Sequence, residues 1–120
     1  MNADERDSKI LRRIIKYCRD IENFIVGIDY PIFETTLQMN RACIFTLEQI
    51  GESVKDISDD FKKGHPHIPW HEIVGLRNRI VHDYDGIYLD IVWETITEDI
   101  PQLCESLNKI LEKNNDDFDS

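Results

Sequence analysis

The sequence predicts an all-α fold, an up-and-down bundle of four to five helices in a single domain. Three observations carry that prediction. Apolar residues recur at three- and four-residue spacing through four long segments. Strict apolar–polar alternation, the mark of a half-buried strand, is weak throughout. Gly27, Pro31, Gly64, Pro66, Pro69 and Gly86 stand between the periodic segments or at their ends, as helix punctuation should.

The first segment runs from about Asp4 to Val26, with Ile10, Ile14, Tyr17, Ile21 and Phe24 on one stripe and Gly27 and Pro31 beyond its end. The second runs from about Pro31 to Ser58, where Met39, Cys43, Leu47, Ile50, Val54 and Ile57 repeat at heptad-like intervals. The segment KKGHPHIP then reads as a loop. A third helix begins near Pro69, where proline's missing N–H costs nothing, and ends before Gly86. The fourth spans about Leu89 to Lys113, with Trp93, Ile96, Ile100, Leu103, Leu107 and Ile110 inward. Pro101 interrupts that pattern and should kink the helix or open it locally. The domain is expected over residues 1–113, and the acidic remainder, 114–120, reads as a disordered tail.

At 120 residues the chain suits one domain with a modest core. No apolar run approaches the ~20 residues that span a bilayer, and the polar start MNADERDSKI is unlike a secretory signal. Cys18, Cys43 and Cys104 are scattered and odd in number, which favours reduced thiols in a cytoplasm over disulfides or a zinc site. The net charge of −10 argues against nucleic-acid binding until its distribution is considered. Residues 1–60 carry a net −4 and residues 83–120 a net −9, whereas residues 61–82 carry +3 and all four histidines. The one positive island contains the segment RNRIVHDY.

Within that segment, Ile73, Leu76, Ile80 and Tyr84 form a stripe that should face the bundle. At ~100° per residue, Asn78 and His82 lie about 40° apart and project away from it. Val74 and Val81 form a second apolar line close to Arg77, so the helix is expected to be covered on two sides. The second cover would be another copy of the chain, giving a symmetric dimer with His82 near its two-fold axis. Arg79 and Asp83 are spaced for a helical ion pair. Taken without their flanks, Arg77 and His82 would be ordinary helix-surface charges.

The flanks change that reading. IPWHEIVGLRNRIVHDYDGIYLDIVWETI, with LEQIGESVKDIS upstream, closely resembles HepT-type toxins of the HEPN superfamily over roughly residues 8–112. Arg77 and His82 match the family's arginine–histidine spacing, Asn78 its polar position after the arginine, and Tyr84 the tyrosine two residues past the histidine. The resemblance implies a metal-independent endoribonuclease, without cofactor, acting in a toxin–antitoxin pair. His82 would move protons near neutral pH, its unperturbed pKa being ~6.5. Arg77 would stabilise the phosphorane charge, and Asn78 would hold the histidine ring or phosphate. The expected partners are RNA, a second copy of the chain and a nucleotidyltransferase antitoxin, assembled as a homodimer or a larger hetero-oligomer. That antitoxin would adenylylate Tyr84, placing bulk and negative charge beside Arg77 and His82. A plain core aromatic remains the alternative for Tyr84. A second reading of the whole chain keeps the fold and the polar cluster but not the chemistry: a helical interaction or nucleotide-binding module that partners a nucleotidyltransferase.

The remaining candidates are weaker. His65, His67 and His71 suggest a metal, but no fourth ligand stands nearby, and positive loop electrostatics explains them better. Gly51 suits close helix packing. Glu52 could orient Arg77 or His82, or simply sit at the surface. Trp70 and Trp93 read as core or interface anchors.

Overall fold

The computed structural model describes residues 2–75 and 88–119, the last six of these by backbone alone. Helix α1, Ala3–Phe24, starts where the Asn2 side chain accepts the Glu5 N–H at 2.8 Å. Asp4 and Glu5 in the first turn suit the positive end of the helix dipole. Two adjacent apolar lines, not one, are buried: Ile10, Leu11, Ile14, Ile15, Cys18 and Ile21. The predicted stripe loses its last member, because Phe24 is largely exposed. Beyond the helix, Gly27 takes φ of +75°, a left-handed conformation that glycine adopts without a Cβ penalty.

The single helix predicted over residues 31–58 is two. Helix α2, Tyr30–Thr35, is capped by Asp29, whose side chain accepts the Ile32 N–H at 3.3 Å. Helix α3, Leu37–Lys55, follows after Thr36, which stands at φ −100° and ψ +91°. Local hydroxyls and the Asn40 side-chain amide together favour the break. Thr35 and Thr36 donate to the carbonyls of Pro31 and Ile32 at 2.8 and 2.6 Å. Buried Asn40 donates to the carbonyls of Phe33 and Glu34 at 3.2 and 3.4 Å, satisfying the end of α2 from within α3.

Early residues of α1 meet late residues of α3, so these two helices run antiparallel. Arg13 donates to Ser53 Oγ at 3.2 Å and lies 3.4 Å from Asp56 Oδ2. α1 is the central element, packed against α3 and against the C-terminal helix, Ile100–Asp119. A short helix, α4, Asp59–Gly64, forms beyond the predicted end of the second helix, and its last three residues belong to the segment read as a loop. Residues 70–75 are helical again and are termed α5.

After residue 88, α6 spans Leu89–Glu94 and passes through a π-helical turn, Thr95–Asp99, into α7, Ile100–Asp119. The π turn lies immediately before Pro101, where the sequence predicts a local opening. Proline has no N–H to continue the ladder, and the register shifts so that Ile100 N–H reaches the Thr95 carbonyl. Thr95 and Thr97 hydroxyls bond to the carbonyls of Ile91 and Trp93 at 2.9 and 2.7 Å, supporting the altered turn. The inward stripe on this run is as predicted: Ile96, Ile100, Leu103, Leu107 and Ile110 are buried and Trp93 is half-buried. Helical backbone continues through residues 114–119, where the sequence suggests a tail. α2 closes the bundle by stacking aromatic rings on α6: Phe33, fully buried, lies 5.0 Å from Trp93 between ring centroids, and Tyr30 lies 6.2 Å from Trp93. Among the described residues there is no strand, and the fold is the all-α bundle that the periodicity predicts.

Candidate functional site

Arg77, Asn78, His82 and Tyr84 lie outside the described residues, as do Leu76, Arg79, Ile80, Val81 and Asp83. The described structure therefore defines the frame that leads into this segment, and that frame can be traced back to α1. Asp7, 3% exposed, accepts the Ser58 N–H at 2.9 Å and the Ser58 hydroxyl at 2.6 Å. Ser58 in turn caps α4 by accepting the Phe61 N–H at 3.2 Å. One buried carboxylate thus fixes where α4 begins.

From α4 the connection passes through rings. His65 stacks on Phe61 with centroids 4.2 Å apart, and its Nδ1 lies 3.0 Å from the Phe61 carbonyl. Trp70 meets Phe61 edge-on at 6.1 Å, and its indole N–H donates to the His65 carbonyl at 3.0 Å. Buried Ile68 and Trp70 hold the loop down, while His67 is exposed. The first helical bond of α5 runs from Ile73 N–H to the Pro69 carbonyl at 3.1 Å, so α5 begins where the sequence predicts. Trp70 is the anchor expected of it. His65 is a packed ring, and among the described residues no three His, Cys, Asp or Glu side chains are grouped to hold a metal ion.

α5 forms one wall of a cleft of about 630 Å³ whose other walls are the second half of α3 and the run from α6 into α7. Leu47, Ile50, Ile73 and Leu103 supply apolar surface inside it. Ile91, Thr95 and Asp99, four residues apart along the π-containing run, line one side. His67, His71, Glu72, Gln102 and Ser106 add polar groups to the lining. Gly75, the last described residue before the motif, also lines the cleft. Sequence reasoning did not find Gln102, Ser106 or Thr95, because three separate elements must pack before they share a surface. Asp7 was missed as well; the signal available was Ser58-Asp59-Asp60, a capping serine followed by acidic residues.

Other candidates resolve into structure. Gly51 is buried in α3, as close packing requires. Glu52 is half-buried with its Oε1 4.0 Å from Lys55 Nζ, and the residues it was expected to orient lie outside the described residues. All three cysteines are buried free thiols. Burial pushes the Cys18 thiol up to about 12 and the Cys43 thiol up to about 11, and raises that of Cys104. None is a nucleophile near neutral pH. Among the described residues no helix is long and apolar enough to cross a membrane.

The described residues place the chain in the class of all-α helical-bundle proteins. Within that class, the chain belongs to the HepT-like family, described as ribonuclease HepT-like, which matches residues 14–110. It is 36% identical over 103 residues to "Putative RNase TTE0752" of Caldanaerobacter subterraneus subsp. tengcongensis, covering 86% of this chain and 92% of that protein. It is 39% identical over 108 residues to "Putative RNase MJ0125" of Methanocaldococcus jannaschii, covering 89% and 93%. It is also 39% identical over 90 residues to "Probable ribonuclease HepT" of Thermococcus cleftensis, covering 75% and 82%. No solved structure matches the chain.

Proposed function

We propose that the protein is a metal-independent endoribonuclease, the toxin of a HEPN/MNT toxin–antitoxin pair, acting as a homodimer in the cytoplasm. The observation that carries this reading is the family match over residues 14–110, which includes Arg77, Asn78, His82 and Tyr84. The names of the relatives, each an RNase or ribonuclease, support the reaction type. The +3 charge of residues 61–82 in an acidic chain supports an RNA substrate at this segment.

In the proposed reaction the substrate's own 2′-hydroxyl attacks the adjacent phosphorus. His82 of one protomer takes the hydroxyl proton as the O2′–P bond forms. His82 of the partner subunit gives a proton to the departing 5′-oxygen as the P–O5′ bond breaks. The products are a 2′,3′-cyclic phosphate and a free 5′-hydroxyl. Arg77 stabilises the added charge on the phosphorane, and it stays protonated at every working pH. Asn78 holds the imidazole or a phosphate oxygen. The dimer is supported by the large apolar side chains left exposed on the described surface, Leu37 and Phe45 on α3 and Tyr88 next to the motif segment.

Regulation completes the proposal. The tyrosine hydroxyl of Tyr84 attacks the α-phosphorus of ATP on the nucleotidyltransferase antitoxin, releasing pyrophosphate and leaving AMP on the ring. The bound phosphate then repels RNA from Arg77 and His82. Incubating the isolated protein with RNA in the presence of a chelator tests the chemistry. Fragments ending in cyclic phosphate are expected, whereas intact RNA with retained binding of a nucleotidyltransferase would favour the non-catalytic module. Mass spectrometry after incubation with the partner and ATP tests the regulation. Tyr84→Phe should remain unmodified, and a modified Y84F chain would place the target elsewhere.

A further inference from the structure

We propose that the cleft between α3, α5 and the α6–α7 run takes one unpaired nucleobase of the RNA, next to the phosphate that is cut. This rests on the ribonuclease reading and adds to it a base-binding site that sets where RNA is cleaved.

Four observations lead there. The volume of about 630 Å³ lies in the range of small-molecule sites, roughly 300–1,000 Å³, and accommodates a nucleotide-sized ligand. Its lining has the character a base requires. Ile73 and the exposed Ile91 offer apolar surface to the ring faces, over a floor of buried Leu47, Ile50 and Leu103, while the Gln102 amide and Ser106 hydroxyl offer both donors and acceptors to a base edge. The cleft also adjoins the motif. Gly75 lines it, and Arg77 is two residues further on, so their Cα atoms are at most about 7.6 Å apart.

The fourth observation concerns Gly75 itself. Glycine weakens a helix relative to alanine, so its use at Gly75, the last described position of α5, needs a reason. Packing among the described residues does not give one, because a Cβ at Gly75 would meet none of them within 4 Å. Its φ lies outside the left-handed region, so conformation does not give one either. What glycine preserves at this point is open space in the cleft lining, two residues before Arg77 in the sequence. The π-helical turn points the same way: Thr95 and Asp99 at its two ends both line the cleft, and such turns are frequent at functional sites. A base seated here would fix its own phosphate relative to Arg77.

The test pairs a protein change with a substrate change. Wild type, Gly75→Ala, Gly75→Val and Gln102→Ala are each assayed on a short RNA and on the same RNA with abasic ribose on one or other side of the cut. For wild type, removing the base on one side should lower kcat/KM about 10-fold or more. For Gly75→Val, cleavage of intact RNA should fall by a similar factor, and abasic RNA should then be cut no more slowly than intact RNA. Gly75→Ala should show a smaller loss with an unchanged or higher melting temperature, an outcome that a packing role for the glycine would not give. Gln102→Ala should fold normally and alter which base is preferred. Equal cleavage of intact and abasic RNA by wild type overturns the proposal while leaving the ribonuclease reading standing. Loss of self-association in Gly75→Val, with base sensitivity kept, also overturns it and makes the cleft a subunit contact. No cleavage of either RNA by wild type overturns the ribonuclease reading and this proposal with it.

Discussion

Replacing Asp7 with alanine should destabilise the protein far more than any other acidic substitution at its N-terminal end. Asp7 is 3% exposed and accepts two hydrogen bonds from Ser58, at 2.9 Å from the N–H and 2.6 Å from the hydroxyl. Hydrogen bonds to an ionised group contribute about 1.5–3 kcal/mol each. Part of that is offset by the desolvation of the carboxylate, which the alanine variant no longer bears. A net loss of about 2–4 kcal/mol follows, because the Ser58 N–H is left without its acceptor. For a domain of this size that corresponds to a fall in Tm of about 10 °C. Asp7→Asn keeps one acceptor and should lose about half as much. Asp4→Ala, at an exposed position on the same helix, should stay within about 0.5 kcal/mol. The assay is thermal or urea unfolding of D7A, Ser58→Ala and the double variant. The two residues should be coupled by more than ~1 kcal/mol. A D7A shift below about 2 °C, or strict additivity with Ser58→Ala, would show that this contact does not fix α4.

Two further perturbations follow from the core. Phe33→Ala removes a fully buried ring set 5.0 Å from Trp93, and should cost about 3–5 kcal/mol by urea unfolding while leaving the α1–α3 and α1–α7 contacts in place. The buried thiols make stability fall in alkali. Cys18 and Cys43 titrate near 9 when unfolded but are pushed up to about 12 and about 11 in the fold. A folded-state pKa raised in this way gives a contribution fully present below pH 9 and lost as pH rises through 11–12. Unfolding free energy should therefore decline above pH 9, and Cys18→Ala should flatten the decline. A thiol reagent at pH 8 should label neither residue until denaturant is added, and rapid labelling of the folded chain would contradict their burial.

What could be read from the sequence depended on the range of the interaction involved. The stripe on α1, the start of α5 at Pro69 and the disturbance before Pro101 follow from local periodicity and from proline's missing donor, so they were legible. The break at Thr36 was not. It depends on buried Asn40 reaching back six and seven residues to the end of α2, and heptad spacing runs through it undisturbed. Helix α4 escaped for a similar reason. Six residues are too few to show a period, and the contact that places its cap comes from Asp7, 51 residues away in sequence. The motif was read from the resemblance that its flanks carry, since an arginine and a histidine at this spacing alone are ordinary surface charges, and it lies outside the described residues. The cleft was not legible, because Ile50, Gly75, Thr95 and Gln102 meet only through packing.

The most direct test of the central claim is cleavage of RNA by purified His82→Ala beside wild type. Wild type should give fragments ending in 2′,3′-cyclic phosphate. H82A should give at least 100-fold less product, since general acid–base catalysis contributes about 10²–10⁴-fold, while keeping the melting temperature and self-association of wild type. An H82A protein that cuts RNA as fast as wild type would contradict the account.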